Sequence, residues 1–454
     1  MLLKKTFSLS LTIFLCVILY FLIGFFIPKE KFFYLLITFI FLFLFQFILL
    51  KKKISLKAIF FIGLLFRLTL ILSIPQLSQD FYRFIWDGSI QILGINPYLY
   101  KPEALVNLIQ FPLSDLIYSK MGRLSSINFS NYPPLSQYLF YLSAYFNNGE
   151  IIKPVLTIKI IYLLSEIILF FGAKKLLIKL GQQPEKIGWY YLNPMIIVET
   201  IGNLHGEGLM IMFMVISFLY LFEKKLVISS FFMSLSIAAK LLPIIIIPLF
   251  FKFLGLKKFN YFLLYLLLFS TLIWFPLLEK KVLLTFLNTI YLWFDTFEFN
   301  ASIYYIIRYF GYQIFGYNII KSLSLITPFI IILLVGCITF LKPNNSMSKI
   351  LKNILIIYSF YFFISTTVHP WYIINLIIIS IFTGYFYPIV WSLTCLLSYS
   401  AYKTTGFNEE PLFLIIEYAI VYGIFIYEFT NKPILNHIQN TNFKFFKSSP
   451  FSSR

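Results

Sequence analysis

The chain reads as an all-α integral membrane protein, a polytopic bundle of about 12–14 transmembrane helices whose outer loops carry amphipathic juxtamembrane helices. Three observations predict that class. Sixty per cent of the residues are hydrophobic and only 12% are charged, against about 25% charged in a soluble domain. Apolar runs recur along all 454 residues, many of about 20 residues, enough to cross a hydrocarbon core of roughly 30 Å. The net charge of +19 is gathered in short clusters between those runs, where it marks one membrane side and does not call for a nucleic acid partner.

The elements follow in order. The first run, residues 7–27, comes after Lys4-Lys5 without a small-residue cleavage site, so it is a retained span and not a signal peptide. With the N-terminus cytoplasmic, spans near 6–27, 31–50 and 54–74 put Lys51-Lys52-Lys53 inside and deliver the segment from Pro75 outside. Further spans are expected near 154–173, 187–201, 207–222, 226–240, 241–251, 259–277, 319–341, 350–366, 371–384, 386–402 and 411–430. That alternation keeps Lys174, Lys175, Lys179, Lys186, Lys224, Lys225, Lys252, Lys257, Lys258, Lys342 and Lys349 on the inner side. Residues 1–430 then form one polytopic domain with large exoplasmic loops at 75–133 and 278–318, followed by a basic cytoplasmic tail at 431–454 that includes His437. Cys16, Cys337 and Cys395 fall inside apolar runs and imply neither disulfides nor a metal site.

Polar residues are scarce enough to be informative, and they collect on the outer side. If Asp80 to Gln91 is helical, Asp80, Arg83, Asp87 and Gln91 share one face, and Phe81, Ile85, Gly88 and Ile92 take the other. Gly94 and Asn96-Pro97 stop that helix. A short amphipathic helix lying on the membrane surface is expected. The same side receives Tyr132-Pro133-Pro134, the run Gly202-Asn203-Leu204-His205-Gly206-Glu207-Gly208, an aromatic loop with Asp295, Glu298, Asn300 and Arg308, and His369-Pro370-Trp371-Tyr372. Ionisable groups near membrane depth are costly and point to an interior polar cavity, and irregular backbone such as Gly202 to Gly208 is tolerated there only when it lines one or is buried in protein.

Outward-facing carboxylates, interfacial cations and many aromatic rings suit glycosyl transfer from a lipid-linked sugar. A carboxylate takes the proton of the acceptor hydroxyl while the anomeric carbon gains oxocarbenium character. Arg83 either meets the donor phosphate or closes an internal salt bridge to Asp80 or Asp87. Lys240 either grips that phosphate or snorkels, and Trp86 offers a ring for sugar stacking. Arg67, inside the third span, needs a partner on a neighbouring helix. No cofactor is expected, because a divalent site would have to draw Asp80, Asp87, His205, Glu207 and His369 together from distant loops. A transporter or flippase of lipid-linked sugars is the other reading, although no second copy of the Asp80 segment supports paired halves.

The run from Gln79 to Tyr98 resembles the first exoplasmic loop motif of bacterial GT-C-type membrane glycosyltransferases, in the polyprenol-phosphate-mannose-dependent mannosyltransferase group. Tyr132-Pro133-Pro134, Asn193-Pro194, the run from Asn203 to Gly208, Lys240-Leu241-Leu242-Pro243 and His369-Pro370-Trp371-Tyr372 look like its later motifs, in the same order. The resemblance implies a bacterial plasma-membrane enzyme moving mannose with inversion from a polyprenyl phosphate donor to a lipid or glycan acceptor. Its catalytic base would be an acid of the first loop. Many relatives begin that motif with two adjacent acids, whereas Gln79 precedes Asp80 here, so Asp80, Asp87 and Glu207 all stand as candidates. The substrate-binding candidates are Arg83, Trp86, Gln91, Asn96, Tyr132, Asn203, His205, Glu207, Lys240, Arg308, His369, Trp371 and Tyr372.

Overall fold

A computed structural model of the chain describes residues 2–404 and 406–436, so His437 and most of the expected basic tail lie outside the described residues. The described residues are helical almost throughout, and a hairpin of Tyr402–Lys403 with Gly406–Phe407 is the sole strand pair among them. The chain is an all-α, multi-pass membrane protein.

Seven of the described helices are long and apolar enough to span a bilayer: Ser8–Phe25, Phe32–Lys51, Ile152–Lys179, Leu256–Leu277, Ile320–Leu341, Met347–Ile364 and Pro411–Thr430. An eighth is made if Pro194–Gly202 and Glu207–Phe222, bent by 110°, count as one broken span. Three other expected spans form shorter apolar helices, Leu226–Ala239, Leu242–Leu254 and Pro370–Thr383. The expected third span shortens to Leu56–Thr69, 14 residues, or about 21 Å at 1.5 Å per residue. Proline breaks others. Residues 184–202 run as four short turns beginning at Pro184, Gly188, Pro194 and Val198, since a proline removes a helical donor and constrains the residue before it. Such backbone survives at this depth because it is buried in protein.

The Glu207–Phe222 helix is the centre of the bundle, buried along most of its length and packed on Ile152–Lys179 and Leu226–Ala239. Leu256–Leu277 and Ile320–Leu341 sit outside and expose Leu264, Leu267, Phe329 and Leu333, the surface a bilayer covers without cost. Arg67 pairs with Glu166 at 2.8 Å, both fully buried, as a charge inside a span requires. Its Nη1 also donates to the carbonyls of Gly63 and Tyr191, and its guanidinium lies 4.0 Å from the Tyr191 ring centre. Gly208 is glycine because a Cβ there would run into Glu166 of this pair.

The two ends of the bundle differ. Lys52 Nζ reaches Ser8 Oγ at 2.9 Å, so the first two helices are antiparallel and the basic cluster at Lys51 to Lys53 sits at one end. Their connecting turn is at the other, where Lys29 lies over the Tyr402 ring at 4.4 Å.

The first long loop folds into helices Asp80–Ile92, Pro102–Leu105, Ser114–Lys120 and Arg123–Ser126. The Asp80–Ile92 helix does not lie open on a surface as expected. It packs on Pro134–Ala144, and Gly88 lets the two approach so closely that a Cβ would meet the Phe140 carbonyl. The second long connecting segment is likewise helical, at Val282–Thr296 and Ile303–Phe315, and not the open aromatic loop the composition suggested.

A candidate active site at the polar end of the bundle

Asp80 opens the Asp80–Ile92 helix, where the unpaired amides of the first turn favour a carboxylate. Its side chain remains 34% exposed, and Oδ2 lies 3.9 Å from His205 Nε2. Three other acids of this end are sealed: Asp87 and Glu199 are 0% exposed and Glu207 is 1%. Among them only Asp80 can meet a substrate without rearrangement.

His205 is positioned by irregular backbone. Residues Val198–Gly202 form a π-helical turn, a distortion that recurs at functional sites. Leu204 follows with φ +65, left-handed for a non-glycine residue, which costs energy that the surrounding packing must supply. The turn directs Glu199 Oε2 at His205 Nδ1, 2.9 Å away. Tyr399 donates to Glu199 Oε1 at 2.5 Å, and Asn203 Nδ2 donates to Oε2 at 3.3 Å. Asn203 Oδ1 accepts from the Leu77 amide, tying this turn to the segment that leads into Asp80.

Aromatic rings complete the wall. Trp371 stacks on His205 with ring centroids 3.6 Å apart, and His369 stacks on Trp371 at 4.2 Å. Tyr372 packs edge-on against His369. Tyr132, half-buried, feels the charges of Asp80, Arg83, Asp87 and Tyr372, after burial, which raises its hydroxyl well above the ordinary range. Burial pushes His369 well below the usual histidine range, with His205 and Lys240 adding to the shift, so its ring is neutral. Lys240 Nζ pairs with Glu207 Oε1. Burial also lowers Lys29, opposed by the charges of Glu30 and Asp80, which places this lysine in the electrostatic neighbourhood of the site. Three buried polar atoms here have no partner: His205 Nε2, Glu207 Oε2 and His369 Nδ1. Buried polar atoms are nearly always satisfied, so these three call for partners from a ligand or from water.

Several expected residues turn out to be occupied elsewhere. Asp87 is saturated: Oδ1 accepts from Arg83 Nε at 2.7 Å, and Oδ2 accepts from Ser130 at 2.6 Å and Gln137 at 3.0 Å. Arg83 closes the internal salt bridge and also donates to the carbonyls of Ser125 and Asn128. Its Nη2 is buried without a partner among the described residues. Trp86 is fully buried, with its ring against Phe111 and Tyr118. Gln91 donates to Gln137, and Asn96 donates to the Leu277 carbonyl and Glu279, so both bind loop to loop. Arg308 is held by Glu298 and lies over the Tyr305 ring. Each was attractive in sequence because it is polar in an apolar chain, but burial forces such groups to find internal partners first.

Glu199, Tyr399 and Lys29 were missed by the sequence reading. Glu199 had a signal, since it is a lone acid inside the apolar run Met195 to Ile201. Tyr399 had none. Among the described residues no group of three or more His, Cys, Asp or Glu side chains is arranged to hold a metal ion.

This multi-pass helical membrane protein thus presents the part-exposed Asp80 carboxylate among aromatic and histidine side chains. Residues 31–254, just under half of the chain, match the family model described as Alpha-(1->6)-mannopyranosyltransferase, N-terminal domain, so that stretch is similar to a mannosyltransferase domain. The match covers Asp80, Glu199, His205, Glu207 and Lys240 and stops short of His369. A comparison with curated proteins found no match.

Proposed function

We propose that this membrane mannosyltransferase takes mannose from a polyprenyl phosphate donor and attaches it, with inversion, to an acceptor hydroxyl on the exoplasmic face of a bacterial plasma membrane. The observation that carries the reading is the accessibility of Asp80 beside three buried atoms that lack partners. Asp80 removes the acceptor proton as the acceptor oxygen bonds to the anomeric carbon, and the carbon–oxygen bond to phosphate breaks with its electron pair leaving on the phosphate. Lys240 and Lys29 supply positive charge for that phosphate, while Glu207 holds Lys240. Tyr132, Asn203, His205, His369, Trp371 and Tyr372 shape the sugar and acceptor subsites. Residues 1–430 act as one domain, with both termini cytoplasmic and the site at the end opposite Lys51 to Lys53. The aliphatic tail of the donor never has to leave the bilayer, which suits a site at the end of spanning helices.

Purified protein in lipid nanodiscs, given a panel of polyprenyl phosphate sugars and sugar nucleotides, tests this. Release of free polyprenyl phosphate from the mannose donor alone is expected, and Asp80→Asn should slow it by about 10²–10⁴. Turnover of a sugar nucleotide in place of the lipid donor would overturn the assignment. The side is tested by a membrane-impermeant thiol reagent on Glu103→Cys, an exposed position of the first outer loop. Labelling from outside intact cells is expected; protection until lysis refutes the orientation.

A further inference from the structure

The reaction as drawn leaves a proton on Asp80, and the residues around His205 offer it a path. His205 has one nitrogen committed and one free. Nδ1 meets Glu199 Oε2 at 2.9 Å, while Nε2 is buried, has no partner and faces Asp80 Oδ2 across 3.9 Å. A buried carboxylate on one imidazole nitrogen selects the tautomer in which that nitrogen carries the hydrogen, leaving the other as a lone-pair acceptor. Glu199 is itself held from three sides, by Tyr399, Asn203 and His205, within the π-helical turn, so its carboxylate cannot swing away. Trp371, stacked at 3.6 Å, keeps the imidazole plane fixed.

We propose that Glu199 is a positioning residue that makes His205 the proton acceptor for Asp80. This rests on the transfer reaction proposed above. The acceptor hydroxyl gives its proton to Asp80 as the new glycosidic bond forms. The proton then passes from Asp80 to His205 Nε2, and the imidazolium is stabilised by the Glu199 carboxylate until it is released to solvent with the product. Asp80 is thereby returned to its charged form for the next acceptor. The 3.9 Å separation is too long for a direct hydrogen bond. It closes by a side-chain rotation of the exposed carboxylate or by one bridging hydroxyl. The charged and titratable groups facing this pair are Asp80, Glu199, His369, Lys29 and the Glu207–Lys240 pair.

The test uses the full-length protein in nanodiscs and two independent readouts. Glu199→Gln keeps the shape and an acceptor for Nδ1–H but removes the charge. Its kcat should fall by about 10²-fold with the donor KM unchanged, and the acidic limb of kcat against pH should move to lower pH. A loss of kcat with an unmoved pH profile, or transfer at the parent rate, overturns the proposal. The chain has three histidines, so nitrogen-15 histidine spectra are simple to assign with His205→Gln and His369→Gln. The resting His205 should show its hydrogen on Nδ1, and Glu199→Gln should lower its titration midpoint by about 1–2 units. Hydrogen on Nε2, or a midpoint that does not shift, overturns the proposal whatever the activity. No mannosyl transfer by the parent protein would refute the donor reading separately, because the spectra report on the imidazole alone.

Discussion

Asp80 and Asp87 lie on one helix seven residues apart, and replacing each by Asn separates catalysis from stability. Asp87 is fully buried, with Arg83 on one oxygen and Ser130 and Gln137 on the other. Removing its charge leaves a guanidinium that is itself almost fully buried without a counter-charge, a change worth about 3–5 kcal/mol. Arg83 keeps its bonds to the Ser125 and Asn128 carbonyls, so the lower end, about 3 kcal/mol, is expected for Asp87→Asn. Asp80 has no such ties; His205 Nε2 lies 3.9 Å from its carboxylate. Asp80→Asn should melt with the parent and lose about 10²–10⁴ in kcat, equivalent to about 2.7–5.5 kcal/mol of barrier. With the exposed Cys337 replaced by Ser, unfolding can be followed by a thiol-reactive fluorophore, since Cys16 and Cys395 are buried and become reactive only when the bundle opens. An Asp87→Asn protein that melts with the parent yet transfers no sugar would make Asp87 the base and refute this division of roles.

Other consequences are equally direct. Glu166→Gln should cost about 3–5 kcal/mol by stranding Arg67, and adding Arg67→Met should restore most of it, measured as a double-mutant cycle in the same melting assay. Gly88→Ala should cost about 1–3 kcal/mol, because the new methyl meets the Phe140 carbonyl between the packed helices. Lys240→Met should raise the donor KM by about tenfold, or 1.4 kcal/mol, with a smaller effect on kcat. Arg308→Ala, by contrast, should leave transfer kinetics at the parent values, since this side chain is held by Glu298 away from Asp80.

The composition and lysine distribution determined the class, and the order of motifs pointed to the mannosyltransferase family that the match over residues 31–254 supports. The limits of the Asp80–Ile92 helix were also readable, because Gly94 and Asn96-Pro97 terminate it by local backbone chemistry. The burial of Arg67 against a charge on another helix followed from the cost of an unpaired cation in a span.

Span number and site membership were decided otherwise. Hydropathy alone cannot tell a helix that crosses from one broken by proline and sheltered by its neighbours, so residues 187–201 read as a span and fold as short turns. Asp87, Arg83 and Trp86 share the sequence neighbourhood of Asp80, yet the loop helices close over them and leave Asp80 open. Glu199 and Tyr399, two hundred residues apart, meet only because the bundle brings their helical turns together. Periodicity specifies which face of a helix a side chain occupies. What covers that face, and therefore which carboxylate is left for chemistry, depends on long-range packing that no local pattern encodes.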